Sequence, residues 1–236
     1  LHRAPDVLVK LLTMPVPPSS CSGRALPLRA RWTLALSCPV AAAPGADLAG
    51  HQLLVTSVRT GDTELFVVDP TTGDARNVTR SPASEERYGC WSPDARRIAF
   101  ISDRTGSPNL FIADADGNNV RQLTHTKAKC YMPSWAGRRI VFGLHGDKPE
   151  MSSIDEDGTD LKSLGDGHDP CLSPDGNRIA YTGQVPGGVT VFVMNADGTG
   201  QQQLVQAVNP MGAVFPSWSP DGKRLVYSSN VGDALE

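Results

Sequence analysis

From residue 50 onward, short apolar runs alternate with polar turns at a regular interval. Five segments line up: Gly50-His51-Gln52-Leu53-Leu54-Val55, Ala95-Arg96-Arg97-Ile98-Ala99-Phe100, Gly137-Arg138-Arg139-Ile140-Val141-Phe142, Gly176-Asn177-Arg178-Ile179-Ala180-Tyr181 and Gly222-Lys223-Arg224-Leu225-Val226-Tyr227. The first apolar residue of each falls at 53, 98, 140, 179 and 225, in steps of 45, 42, 39 and 46. Self-similarity at a period near 43 marks a repeat architecture, in which each unit buries its apolar faces against its neighbours.

Each unit runs in the same order. A short segment ends in a Ser-Pro-Asp turn, as in Trp91-Ser92-Pro93-Asp94, Leu172-Ser173-Pro174-Asp175-Gly176 and Trp218-Ser219-Pro220-Asp221-Gly222. Proline pre-sets φ, aspartate bonds nearby backbone and glycine accepts positive φ, so the tetrad reverses the chain. The apolar strand follows, then a polar loop such as Ser102-Asp103-Arg104-Thr105-Gly106. A third strand comes next, as in Asn109-Leu110-Phe111-Ile112-Ala113 or Thr190-Val191-Phe192-Val193-Met194. After it comes Asp114-Ala115-Asp116-Gly117, Asp155-Glu156-Asp157-Gly158 or Asn195-Ala196-Asp197-Gly198, and a fourth strand closes the unit, as in Val120-Arg121-Gln122-Leu123-Thr124. Four antiparallel strands in about 40–45 residues describe a β-propeller blade. The Asp-x-Asp-Gly runs lack the spacing and the twelfth-position glutamate of a calcium loop, and so read as hairpin turns.

Composition adds boundaries. The 236 residues hold 23 Gly and 19 Pro, which suits a turn-rich all-β chain and not a helical bundle. A net charge of −3 removes the basic footprint of a nucleic-acid binder. The longest apolar candidate, residues 32–43, is interrupted by Pro39, so no transmembrane helix is expected. Residues 1–50 form a distinct leader, disordered or signal-like, in which Arg24, Arg29 and Arg31 precede an apolar stretch and the small residues 41–46. The propeller is expected over 51–236, with blades at about 51–85, 86–127, 128–166, 167–208 and an incomplete 209–236. The first copy shows no innermost strand before Gly50.

Pro216-Ser217-Trp218-Ser219-Pro220-Asp221-Gly222-Lys223-Arg224-Leu225-Val226-Tyr227, together with the Asp-Ala-Asp-Gly and Arg-Gln-Leu-Thr runs, resembles the repeat of the TolB-like propeller family, with WD-like blades. The resemblance implies an all-β fold of about four and a half four-stranded blades, a truncated form of a six-bladed propeller. It also implies a non-enzymatic scaffold that binds a protein or peptide in the cell envelope, periplasmic or extracellular. The same blades occur in oligogalacturonide lyases and prolyl oligopeptidase-like peptidases, so the propeller portion of such an enzyme is the alternative.

Departures from the repeat are informative. The third copy, Pro133-Ser134-Trp135-Ala136-Gly137, lacks Ser-Pro-Asp, and Leu172 stands where the others have Trp91, Trp135 and Trp218. The tryptophans are expected to be buried between sheets. The charges at 96–97, 138–139 and 223–224 read as solvated edge residues that discourage strand pairing. Cys21, Cys38, Cys90, Cys130 and Cys171 fit neither a disulfide framework nor a zinc motif; Cys90 and Cys171 share a small-residue position with Ser134 and Ser217.

No Gly-x-Ser-x-Gly elbow, Walker loop or His-Glu-x-x-His motif occurs, and His2, His51, His125, His145 and His168 are scattered. No catalytic residue, metal or cofactor is therefore assigned. Chemistry is expected instead at the mouth of the central channel, where the innermost strands begin. Aligned with Val214-Phe215-Pro216, these starts carry Arg87 and Tyr88, Tyr131 and Met132, and His168 and Asp169. Aromatic and polar groups converging on a concavity are the usual makings of a recognition site. Arg87, Tyr88, Tyr131, His168 and Asp169 are the candidate binding residues. Open blade edges also favour self-association.

Overall fold

The structure, a computed structural model, describes residues 32–33, 50–205 and 212–229, with the backbone alone for the first pair. The strands follow in chain order as β1 (Trp32–Thr33), β2 (Leu53–Ser57), β3 (Glu64–Val68), β4 (Ala75–Asn77), β5 (Glu86–Trp91), β6 (Arg97–Ser102), β7 (Asn109–Asp114), β8 (Arg121–Gln122) and β9 (Lys129–Ala136). Then come β10 (Arg139–His145), β11 (Pro149–Asp155), β12 (Lys162–Asp166), β13 (His168–Leu172), β14 (Arg178–Val185), β15 (Gly188–Asn195), β16 (Gln202–Gln203), β17 (Ala213–Trp218) and β18 (Leu225–Ser229). They pair antiparallel in four-stranded sheets β1–β4, β5–β8, β9–β12 and β13–β16, with β17–β18 as a two-stranded sheet. The fold is an all-β propeller of consecutive four-stranded blades. Among the described residues no helix is long and apolar enough to cross a membrane.

One difference from the sequence reading lies at the start. Trp32 pairs with Ser57 and Thr33 with Thr56, giving the first sheet an innermost strand. Two residues in a proline-rich context carry no alternation to announce a strand, and the pairing comes from the open edge of β2. The rest of the leader lies outside the described residues, as do Cys21 and Cys38.

Both faces of the second, third and fourth blades are covered by neighbouring blades. In β6, Ile98 and Phe100 pack with Leu65, Val67 and Val78 of the first sheet. Ala99 and Ile101, pointing the other way, pack with Trp135, Ile140 and Phe142 of the third sheet. This is why the second strands read as unbroken apolar runs, for a strand buried on both faces has no polar side to show. Ala136, Val141 and Met151 meet Leu172, Ile179 and Tyr181 at the next interface, and Cys171 and Ala180 meet Trp218 and Leu225 at the last.

Arginines fasten these interfaces. The Arg97 guanidinium lies 5.0 Å over the Trp135 ring of the next blade and pairs with Glu156 at 2.6 Å. Arg178 lies 4.4 Å over Trp218. Arg76 donates to the Ala115 and Asp116 carbonyls, and Arg121 to those of Glu156 and Asp157, each reaching the third turn of the next blade. Arg97, and Arg178 at the equivalent repeat position, are thus staples between blades, and Arg97 is not the solvated edge residue that the sequence suggested. Where Leu172 replaces tryptophan, Arg139 turns to Asp160 at 3.1 Å and Asp155 at 3.7 Å in its own blade.

The turns do what their composition requires. Ser92 Oγ donates to Asp94 Oδ1 at 2.6 Å and accepts the Arg97 amide at 2.9 Å, and Ser173 and Ser219 repeat the pattern. The serine hydroxyl, with the amide of Arg96, Asn177 or Lys223, holds Asp94, Asp175 and Asp221 below the usual carboxylate range. The next position is left-handed: Gly176 has φ +72°, Gly222 +66°, but Ala95 +55°. A Cβ in that region costs about 1–2 kcal/mol. Ala95→Gly is expected to raise unfolding free energy by about 1 kcal/mol after the entropy of glycine is counted, as urea denaturation would measure. At the third turns the carboxylates of Asp116, Asp157 and Asp197 accept the amide two residues on, capping their own hairpins.

A buried carboxylate network joins the first two blades. Ser81 donates its amide to Glu64 Oε1 at 2.7 Å, and the Thr79 hydroxyl bonds Glu64 Oε2. Glu86 Oε1 accepts from Ser84 at 2.5 Å, Ser102 at 2.7 Å and Arg104 at 3.3 Å, while its Oε2 is buried with no partner. Burial raises the Glu86 carboxyl against the pull of the two serines and Arg104.

Candidate recognition site at the channel mouth

Every innermost strand from β5 onward carries the same irregularity. Between Arg87 and Cys90, Tyr131 and Ser134, His168 and Cys171, and Val214 and Ser217, two residues oppose one on the second strand. Such a bulge re-aims the side chains on either side of it. The first residue of each bulge is left-handed: Tyr88 at φ +55°, Met132 at +46°, Asp169 at +52° and Phe215 at +54°. None is glycine, and a bulky residue held there stores about 1–3 kcal/mol that the surrounding sheet must offset. Strain repeated in blade after blade at one position of the innermost strand points to a built feature.

The bulges bring successive blades into contact. The Tyr131 hydroxyl lies 3.3 Å from His168 Nδ1. With the phenol as donor, the neutral imidazole carries its proton on Nε2 and presents it away from Tyr131. His145, exposed at the end of β10, stacks on Tyr131 with ring centroids 4.4 Å apart, and its ring is 6.3 Å from that of His168. Gly143 makes room for this, because a Cβ there would meet the Tyr131 ring at 2.2 Å. Beside His168, the Phe215 amide donates to Thr182 Oγ1 at 3.3 Å, and that hydroxyl donates to Asp169 Oδ2 at 3.2 Å.

Burial sets the electrostatics. It lifts the Tyr131 hydroxyl well above the usual tyrosine range, with Asp169 and Tyr88 adding to the effect. It also raises the Asp169 carboxyl, opposed by His168, the Thr182 hydroxyl and His145. Cys90, on the same innermost position as Ser134, is pushed up to about 12 by burial, which suits packing and not nucleophilic chemistry. Cys130 and Cys171 are likewise buried.

Of the residues singled out from sequence, Tyr131, His168 and Asp169 come together. Tyr88 is half-buried and packs on the cluster between the second and third blades. Arg87 stands apart, exposed and paired with Glu85. Sequence reasoning passed over His145, Thr182 and Phe215. Phe215 stood in the same column as Asp169, before Pro216 as Asp169 stands before Pro170, and that shared proline was the available signal. His145 and Thr182 sit on second strands, where only the pairing register reveals them. Among the described residues no three His, Cys, Asp or Glu side chains gather as a metal-ligand set.

Comparison with known proteins agrees with this architecture. The TolB beta propeller domain matches residues 27–169. The chain belongs to the TolB β-propeller family. The Tol-Pal system protein TolB of Anaeromyxobacter dehalogenans is 32% identical to this TolB-family chain over 154 residues, covering 61% of the chain and 35% of that protein. Dipeptidyl-peptidase 5 of Porphyromonas endodontalis is 34% identical over 140 residues, covering 50% of the chain and 20% of the peptidase. The chain thus spans about a third of the TolB relative's length and less of the peptidase's. Among solved structures, TolB from Acinetobacter baumannii superposes with a TM-score of 0.65 at 20% identity, over 80% of this chain and 48% of that one. An oligogalacturonate lyase in complex with manganese gives 0.62 at 18%, over 79% and 58%. At these identities both structures speak to the fold alone.

Proposed function

We propose that this TolB-family propeller is a non-enzymatic scaffold that binds a protein or peptide segment at its channel mouth, in the periplasm or at the cell surface. The observation that carries the reading is the bridge from Tyr131 to His168 across two blades, flanked by strained bulge residues that aim Tyr88, Asp169 and Phe215 at the same level. Rigid strands hold these groups, so a ligand meets a preformed surface and little ordering entropy is lost on binding. Similarity to a Tol-Pal system protein supports an envelope partner. The cluster offers hydrogen bonding and stacking, and burial keeps the Tyr131 hydroxyl protonated beside His168, which favours recognition over nucleophilic catalysis.

The test is a pull-down from an envelope fraction with the wild-type protein and with Tyr131→Ala. Recovery of a discrete partner by the wild type, lost in the variant, is the expected result. No partner in either case, together with cleavage of oligogalacturonate by the purified protein, would replace this reading by that of a lyase.

A further inference from the structure

Asp169 is the one carboxylate among the four left-handed bulge residues. It is held at φ +52°, a region that asparagine, aspartate and glycine enter more readily than other residues. Its carboxyl is largely shielded, yet it accepts one hydrogen bond among the described residues, the 3.2 Å contact from Thr182. A carboxylate has room for about four. Oδ1 takes none. Among the described residues no lysine or arginine pairs with Asp169; Arg87 pairs with Glu85, and Arg104 with Glu86. Aromatic groups complete the surroundings, with Tyr131 near enough to feel the Asp169 charge and Phe215 tied to it through Thr182, its own side chain 51% exposed.

We propose that Asp169 is the seat for a basic side chain, a lysine ammonium or arginine guanidinium from a partner polypeptide, received at Oδ1 with its stem along the Phe215 ring. A carboxylate short of donors, next to exposed aromatic surface, gains most from a cation that brings several N–H groups and an apolar stem together. An acidic or phosphorylated segment would meet the Asp169 charge directly, while a purely apolar one would leave Oδ1 unmatched. Lys129 pairs with His145 across β9 and β10 but is exposed at the strand end. The imidazoles of His168 and His145 lie near enough to act on the Asp169 carboxyl. The inference rests on the reading of the mouth as a recognition face.

The probes are Nα-acetyl-lysine methylamide and Nα-acetyl-arginine methylamide, with Nα-acetyl-norleucine methylamide as the uncharged match, each titrated into the isotope-labelled protein by NMR. The basic probes are expected to shift the amides of Asp169, Thr182 and Phe215 saturably, at least tenfold more tightly than norleucine. Asp169→Asn should weaken them by tenfold or more. Its melting temperature should stay at or above that of the wild type, since asparagine suits the left-handed position and removes a buried charge. Equal binding of norleucine, or unchanged binding by Asp169→Asn, would overturn the cation seat while leaving the mouth as a recognition face. Absence of any mouth shift with the basic probes would overturn the seat as well, and the Tyr131→Ala pull-down then decides separately on the face.

Discussion

Trp135→Ala is expected to lower the unfolding free energy by about 3–5 kcal/mol, read from urea denaturation at neutral pH. The ring is buried between the second and third sheets among Ala99, Ile112, Ile140 and Ile154, and its Nε1 donates to the Gly137 carbonyl at 3.2 Å. Removing it opens a cavity at a blade interface and strips Arg97 of the surface on which it lies. Arg97→Ala alone should cost about 1 kcal/mol, through the cation–π contact and the pair with Glu156. The two changes should not add, because each removes the same stacking; a coupling of about 0.5–1 kcal/mol is expected from the double-mutant cycle. Fully additive losses would mean that Arg97 and Trp135 act independently, and the idea of an arginine staple between blades would fall.

The second large effect concerns Glu86. Glu86→Ala leaves Arg104 and the hydroxyls of Ser84 and Ser102 facing an empty, buried volume, at a cost of about 3–5 kcal/mol. Glu86→Gln keeps the shape and an acceptor, so its cost should be smaller. Its pH dependence is the sharper readout. Burial raises the carboxyl in the folded state above the unfolded value of about 4.3. Between those two values the folded protein binds more protons than the unfolded chain, so stability falls as pH rises through the window. The wild type should therefore lose stability relative to Glu86→Gln on going up from about pH 4, and a constant difference would show that Glu86 ionises without penalty. The exposed turn aspartates, whose values are lowered, act in the opposite sense and are common to both proteins.

The repeat was legible because turns and strand pattern are local. Ser-Pro-Asp-Gly reverses the chain by the chemistry of its own residues, and a strand covered on both faces must be apolar along its length, so period and strand count could be counted from letters. The staples were not legible. Arg97 and Arg96 are the same letter, and only the twist of one blade against the next decides that Arg97 lies on Trp135. Glu86 and Glu64 likewise carry no local mark, for their partners come from turns and strands of two blades.

The mouth was half legible. Alignment of the innermost strands brought Tyr131 and His168 into one column, and equivalent positions in adjacent blades are neighbours in space, as their hydrogen bond shows. The left-handed bulge was hidden because Tyr88, Met132, Asp169 and Phe215 share no side-chain chemistry. The register of the second strand imposes it, with Phe100, Phe142, Tyr181 and Tyr227 each opposite the two residues of a bulge. His145 was missed for a related reason: it reaches Tyr131 only because Gly143 lets the ring lie across β10.

The central claim is that the channel mouth, and not the outer rim, receives the partner. A photo-activatable benzoylphenylalanine at Phe215 places a cross-linker at the mouth; the same residue at Leu161, which is 59% exposed beside the third turn of its blade, places one on the rim. Irradiation in an envelope fraction is expected to give a discrete adduct from position 215 that disappears when Tyr131→Ala is added, and none from position 161. An adduct from 161 alone would contradict the account and move recognition to the blade edges.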